Sequence, residues 1–233
     1  MFELNLAGSC QKVNNISNYE SVAYDFGKIL TIFPSERNIL LMTQEINNPL
    51  PSAYEAIELA TKASGFNMAS DIQTCSLLKT LAASKPSGKF LELGTGTGLS
   101  TSWILAGMDR NSTLLSIDND EKFLDIADRY LSQDSRLALV LADGEEWVEN
   151  NPEMRFDYIF ADTWHGKYLL LDEVLEMLNK GGIYIIDDMM PQPNWPEGHD
   201  QKAKNLIKDL EARKDLVLTK QVWATGIVIA VKL

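Results

Sequence analysis

Short apolar runs alternate with amphipathic stretches from Lys89 to the end of the chain, and this alternation constrains the fold more than any other feature. It is typical of βαβ units around a parallel sheet. Strands are predicted at Lys89–Leu93, Thr113–Ile117, Ala138–Leu141, Tyr158–Ala161 and Ile183–Ile186. Two more, Leu216–Thr219 and Gly226–Lys232, have no room for a helix between them and should pair as an antiparallel hairpin. The expected fold is α/β: a Rossmann-like, doubly wound, seven-stranded, mostly parallel sheet with helices on both faces.

The part of the chain before Lys89 carries helical signals instead. Ser52 and Glu55 form a capping-box pattern with Gly65 as a stop, and Ser70 with Gln73 forms another. A further helix is expected around residues 19–31. We expect residues 1–69 to form an N-terminal helical cap or a dimerisation segment, and residues 70–233 to form the main domain; a homodimer is one expectation.

The charge balance and the cysteine content weigh against several classes of protein. The net charge is −12, from 33 acidic and 21 basic residues, which disfavours nucleic acid as a partner. Only Cys10 and Cys75 are present, so neither a disulfide framework nor a zinc site is indicated and a cytoplasmic location is expected. No apolar segment approaches the roughly 20 residues needed to cross a bilayer, so no membrane association is expected.

The first predicted strand leads into a glycine-rich loop, Phe90 to Thr101, that reads FLELGTGTGLST. A dinucleotide fingerprint would need its third glycine at position 99, which is Leu99. A phosphate-binding P-loop would need a lysine, and none lies between Lys89 and Lys122. The pattern E-x-G-x-G-x-G, Glu92 to Gly98, resembles the first motif of the class I S-adenosylmethionine-dependent methyltransferases. Their ligand has no phosphate and carries a sulfonium and an ammonium group, which suits a nearby carboxylate.

Further acidic residues follow the next strands in order. Asp118 ends the second strand, where its side chain can accept hydrogen bonds from ribose hydroxyls. The resemblance implies that Asp143, Gly144 and Glu145 lie near the adenine. Trp164 is expected to cover the adenosyl group, with packing at the rim of the site as the alternative. The residues expected to bind S-adenosylmethionine are Glu92, Gly94, Thr95, Gly96, Gly98, Ser100, Asp118, Asn119, Asp143, Gly144, Glu145, Asp162 and Trp164.

Three aspartates follow the fourth and fifth strands, which should be neighbours in the sheet: Asp162, Asp187 and Asp188. Carboxylates crowded at one edge repel one another, which favours binding of a hard divalent cation such as Mg²⁺, Mn²⁺ or Ca²⁺. The segments DTWHGKY and IDDM resemble the metal-dependent O-methyltransferases of the catechol and caffeoyl-CoA kind. By that resemblance the three aspartates hold the metal, with Asp188 in place of the family's asparagine, and Asp162 and His165 are catalytic.

By the same resemblance His165 occupies the position of the family's proton-accepting lysine. A base is dispensable if the cation acidifies the acceptor hydroxyl. The resemblance spans residues 70–233, with its specific residues confined to these segments.

The loop Met189 to Gln201 follows the predicted metal ligands and contains three prolines, which suggests a stiff lid or substrate wall. Trp195 offers a flat surface to an aromatic acceptor, and His199 offers a polar contact. The predicted function is methyl transfer from S-adenosylmethionine to a hydroxyl oxygen of a small aromatic or vicinal diol acceptor. Three alternatives stay open: methylation of a tRNA base, a metal-free methyltransferase, and a non-catalytic adenosyl-binding module.

Overall fold

The computed structural model describes residues 2–4, 10–12, 48–192, 195–222 and 224–233 of the chain. The chain divides into two units, Met1–Glu45 and Ile46–Leu233. In the described part of the first unit, β1 (Phe2–Leu4) pairs antiparallel with β2 (Cys10–Lys12). The helix expected around residues 19–31 lies outside the described residues. The cap or dimerisation role of residues 1–69 therefore stays a prediction.

The described residues of the second unit form seven helices and seven strands. The helices are α1 (Tyr54–Ser64), α2 (Ile72–Ala82), α3 (Leu99–Gly107), α4 (Glu121–Leu131), α5 (Gly144–Asn150), α6 (Leu171–Glu176) and α7 (His199–Ala212). The strands are β3 (Lys89–Leu93), β4 (Thr113–Asp118), β5 (Leu137–Leu141), β6 (Phe156–Ala161), β7 (Leu178–Ile186), β8 (Leu216–Gln221) and β9 (Ile227–Lys232). No helix in these ranges combines the length and the apolar character needed to span a bilayer.

The seven strands form one sheet in the order β5-β4-β3-β6-β7-β9-β8. The first five are mutually parallel, and β9 is antiparallel to both of its neighbours. This confirms the predicted Rossmann-like sheet with its antiparallel C-terminal hairpin. The strand order reverses between β3 and β6, and such a switch point creates a crevice outside the carboxyl ends of the strands.

The core lies in two layers because successive residues of the central strands point to opposite faces of the sheet. In β6, Tyr158 and Phe160 pack into one layer together with Ile57 of α1 and Ile104 of α3. Ile159 and Ala161 pack into the other layer, which includes residues of α5, α6 and α7. Both faces of β6 are thereby buried, as parallel strands with helices on both sides require.

The predicted capping boxes of α1 and α2 do not form. Ala53 and Asp71 stand at the N-cap positions, and neither makes a side-chain cap hydrogen bond. Gly65 does end α1, with φ +79°. The Ser70 hydroxyl, which was expected to cap α2, donates to Oδ2 of Asp162 at 2.8 Å. A residue predicted to be structural therefore contacts a predicted site residue.

Candidate functional site

A cavity of about 570 Å³ lies at the carboxyl ends of β3, β4, β6 and β7. Ten residues of the predicted site line it: Gly94, Thr95, Gly96, Ser100, Asp118, Asn119, Asp162, Trp164, Asp187 and Asp188. A broader surface depression of about 730 Å³ is lined by residues of α1 and α4. The strand-end cavity is the candidate site because it alone of these two contains residues from the ends of the parallel strands.

The glycine loop forms one wall of the cavity. The N–H groups of Gly94 and Thr95 donate to the carbonyl oxygen of Ile117 at 2.9 and 3.2 Å, which ties the loop to β4. Gly96 has φ +52°, and a Cβ there would lie 2.9 Å from Cζ of Phe66. Both the left-handed backbone and the close ring therefore require glycine at this position. Gly98 does not line the cavity; it stands at the N-cap of α3.

Asp118 is joined directly to this loop. Its Oδ2 accepts from the Gly96 N–H at 2.7 Å, and its Oδ1 accepts from the Asp120 N–H at 2.9 Å. An ionised carboxylate has about four lone-pair sites, so each oxygen can accept a further hydrogen bond. Asp118 lines the cavity, where those lone pairs can meet ligand hydroxyls.

Glu92 lies behind the loop, and the expectation that it contacts the ligand is not supported. Its side chain is fully buried and is not among the residues that line the cavity. Its carboxylate accepts hydrogen bonds from the hydroxyls of Ser100 at 2.7 Å and of Thr101 and Ser116 at 2.6 Å. Burial raises its pKa to about 7, although the three hydroxyls act in the opposite direction. Glu92 therefore fixes the start of α3 rather than facing the cavity.

Asp143, Gly144 and Glu145, expected near the adenine, also lie outside the cavity lining. The Asp143 carboxylate caps α5 by accepting from the N–H groups of Glu145 and Glu146. A Cβ on Gly144 would lie 2.6 Å from Nδ1 of His165, so the imidazole packs against this helix start. Asp143, Glu145 and His165 each offer a ligand atom within 4.8 Å of the others. His165, the predicted base, is thus beside α5 and not in the cavity.

Lys167 is a cavity residue that the sequence did not single out. The backbone after β6 makes a compact turn in which the N–H groups of Tyr168 and Leu169 donate to the carbonyl oxygen of Trp164 at 2.9 and 3.0 Å. As a result His165 lies against α5, whereas Lys167 lines the cavity with only 5% of its surface exposed. The motif DTWHGKY contained the signal, a second basic residue two positions after the histidine.

The three predicted metal ligands line the cavity, but they do not form a compact cluster. Oδ1 of Asp187 accepts from the Asp188 N–H at 2.8 Å and from the Thr225 hydroxyl. Asp188 has φ +56°, an unusual backbone conformation for a residue other than glycine. Among the described residues, the set whose ligand atoms all lie within 4.8 Å of one another is Asp143, Glu145 and His165, not these aspartates.

Burial raises the pKa of Asp162 to about 8, although part of this side chain faces the cavity. The ammonium of Lys167 acts in the opposite direction, whereas the neighbouring Asp187 and Asp188 raise this pKa further. Burial also raises the pKa of Asp187. Both carboxyls therefore hold their protons more strongly than usual, and a cationic ligand in the cavity would favour their ionised forms.

Aromatic rings also line the cavity. The His199 ring centroid lies 4.5 Å from Trp195, 5.1 Å from Tyr168 and 5.7 Å from Trp164. Trp164 therefore packs on this aromatic cluster, and Lys202 lies 4.3 Å from the centroid of its ring. Burial lowers the pKa of His199, and Lys167 and Lys202 lower it further.

Sequence comparison finds similarity to known methyltransferases. Residues 91–189 match the family model described as a methyltransferase domain. A Mycobacterium leprae protein provisionally named an O-methyltransferase is 31% identical over 92 residues, which are 38% of this chain and 40% of that protein. A similarly named Mycobacterium ulcerans protein is 26% identical over 117 residues, 47% of this chain and 51% of its own. The matches thus cover about half, or less, of these curated relatives.

Solved structures resemble a larger part of the chain. The O-methyltransferase from Bacillus cereus, in complex with S-adenosylhomocysteine, has a TM-score of 0.69 at 19% identity, covering 81% of this chain and 94% of that one. The O-methyltransferase TomG from Streptomyces achromogenes, in complex with S-adenosylmethionine, has a TM-score of 0.68 at 18% identity, covering 83% and 94%. At these identities the likeness establishes the fold.

Proposed function

We propose that this protein, which carries a class I S-adenosylmethionine-dependent methyltransferase domain, transfers the methyl group of S-adenosylmethionine to an oxygen atom of a small acceptor. One observation carries the proposal: Gly94 to Thr97 of the glycine loop and Asp118 line the same cavity as the aspartates that directly follow β6 and β7. The methyl donor is a phosphate-free cation, and this wall offers carboxylates and backbone groups without a phosphate-binding lysine in the loop.

The residues of the chain divide between the two reactants. Asp118 accepts hydrogen bonds from the ribose hydroxyls, and the glycine loop leaves room for the donor to approach the backbone. Asp162 lies where β6 ends and stabilises the positive charge of the donor. Catalysis then comes mainly from holding the acceptor oxygen, the methyl carbon and the sulfur in line, because such orientation supplies a large part of the barrier reduction in displacement reactions.

The acceptor is a small hydroxylated compound, aromatic or a vicinal diol. Trp195, Tyr168 and Trp164 provide flat apolar surface in the lining of the cavity. A volume of about 570 Å³ falls within the usual range for small-molecule sites and must hold both reactants. These two facts favour a compact, flat acceptor.

The divalent cation expected from the sequence fits this arrangement poorly. The oxygen ligands of Asp162, Asp187 and Asp188 suit a hard cation in type, but they do not all lie within 4.8 Å of one another, as a compact site would require. One oxygen of Asp187 already accepts two hydrogen bonds, and the ammonium of Lys167 lies in the same cavity. We therefore assign no step of the reaction to a metal.

Calorimetric titration with S-adenosylhomocysteine tests the donor site. We expect one molecule bound per chain, and an affinity at least about tenfold lower in Asp118→Ala, which loses both the ribose contact and the anchor of the Gly96 N–H. Asp128→Asn, an exposed substitution on α4, is the matched control and should bind as the wild type does. Transfer of a labelled methyl group to catechol then tests the reaction. Binding of NAD or ATP in place of S-adenosylhomocysteine would overturn the proposal.

A further inference from the structure

Lys167 is a buried cation without a close partner in the part of the chain that the structure describes. Its side chain is 5% exposed, and its contacts there are a distant ring, with Nζ 5.9 Å from the Tyr168 centroid, and electrostatic interactions with carboxylates. No hydrogen bond or ion pair of its Nζ is formed with the described residues. Because a buried ammonium without a hydrogen-bond partner is costly, we expect a ligand group to accept a hydrogen bond from it.

Asp162 and Asp187 interact electrostatically with this lysine, and their oxygens are held by other hydrogen-bond donors. Oδ1 of Asp187 is engaged by Thr225 and by the Asp188 N–H, and Oδ2 of Asp162 is engaged by Ser70. Burial raises the pKa of both Asp162 and Asp187, and the ammonium of Lys167 acts on both in the opposite direction. Lys167 is thus the positive charge that balances this wall of the cavity.

We propose that Lys167 holds the acceptor oxygen and that this site transfers the methyl group without a divalent cation. The inference rests on the proposed function. The ammonium donates a hydrogen bond to the acceptor oxygen, which favours release of the hydroxyl proton to water. An electron pair of that oxygen forms the bond to the methyl carbon while the carbon–sulfur bond breaks. Its electron pair stays on sulfur, so the products are the methyl ether and S-adenosylhomocysteine.

The ionisation of bound 4-nitrocatechol tests the role of Lys167, because this vicinal diol changes its absorption when it loses a proton. The titration is made on protein loaded with S-adenosylhomocysteine, in excess EDTA. We expect the bound dye to ionise about one pH unit lower in the wild type than in Lys167→Met, which corresponds to a tenfold change in the equilibrium. Lys167→Arg should keep much of this shift. Lys208→Met is the matched control, since Lys208 is exposed on α7 and does not line the cavity, and should behave as the wild type does.

Titration of Mn²⁺ into the same complex, followed by electron paramagnetic resonance, tests the absence of a metal. We expect no stoichiometric site at micromolar concentrations. Three outcomes would overturn the proposal: equal ionisation of the dye in the wild type and Lys167→Met, no dye binding at millimolar concentration without a metal, or a one-to-one Mn²⁺ site that Asp187→Asn abolishes. If the wild type does not bind S-adenosylhomocysteine, the proposed function itself is refuted. A failure of the proposal for Lys167 is therefore distinguishable from a failure of the proposed function.

Discussion

Glu92 places an ionisable group in the interior next to the central strand, where no basic side chain balances it among its hydrogen-bond partners. Three hydroxyl donors surround its carboxylate, yet burial still raises the pKa from 4.5 to about 7. The Ser116 hydroxyl also lies 2.6 Å from the Thr95 hydroxyl, which belongs to the glycine loop. The residue thus links β3, β4, α3 and the loop, and its protonation state bears on the stability of all four.

We predict that Glu92→Gln reduces the pH dependence of stability. The folded state binds this proton more tightly than the unfolded chain does, so the free energy of unfolding should fall as pH rises from about 4.5 to about 7 and then stay level for this group. The expected loss is about 3 kcal/mol. Urea unfolding between pH 4.5 and 8 measures it, with the exposed Glu121→Gln as control. Parallel pH profiles for the wild type and Glu92→Gln would refute this interpretation.

Gly96 and Phe66 form a second testable pair. Gly96→Ala should destabilise the fold by about 1–3 kcal/mol, because it adds a Cβ in a left-handed conformation and against a ring. Gly65→Ala is the matched control, since its φ is +79° but no atom lies within 4 Å of the added Cβ. The difference between the two variants measures the contact with Phe66. In a Phe66→Ala background, Gly96→Ala should cost no more stability than Gly65→Ala does. If the excess cost persists there, the ring is not its cause.

At the scale of elements, the sequence predicts the strands well because each contains a short apolar run, and β3, β6 and β7 are largely buried in the sheet. The predicted run Tyr158–Ala161 is contained in β6, and the hairpin follows from the short separation of its two runs. The site is predicted in part, since the ends of strands locate Asp118, Asp162, Asp187 and Asp188 at one edge.

What the sequence does not predict depends on the geometry of turns. One compact turn after β6 brings Lys167 into the cavity and places His165, the predicted base, against α5. Spacing alone cannot give this direction, because side chains in a turn do not follow a period of 2 or 3.6 residues. Likewise, the hydrogen bond from Ser70 to Asp162 joins residues 92 positions apart, which no local pattern reveals.

Substitutions at the start of α5 distinguish a capping role of Asp143 from the predicted contact with the adenine. Asp143→Ala should cost about 1 kcal/mol of stability, because the two N–H groups that it caps lose their acceptor. Asp143→Ser keeps a capping oxygen and should recover most of that loss. If Asp143 is only a cap, S-adenosylhomocysteine binds both variants with the affinity of the wild type in calorimetry. An equal loss of affinity in both would instead support the adenine contact.

For the whole molecule, the balance of charge limits which acceptors can approach. The chain carries a net charge of −12, and the cavity itself contains more carboxylates than cations. The negative potential of the protein attracts a cationic donor and repels a polyanion at long range. It has little effect on a small neutral acceptor. The homodimer and the cytoplasmic location stay predictions.

We therefore predict that tRNA is not an acceptor. Proteins that bind nucleic acid without sequence preference reach dissociation constants of about 10⁻⁴ to 10⁻⁶ M at physiological salt through released counterions. Fluorescence anisotropy with a labelled tRNA mixture in about 0.15 M salt should show no binding in this range, and lower salt should not create it, because repulsion between like charges grows as screening falls. A catechol assay on the same preparation is the positive control. Salt-sensitive binding in the micromolar range, with labelled methyl groups appearing in the RNA, would contradict this prediction and identify RNA as an acceptor.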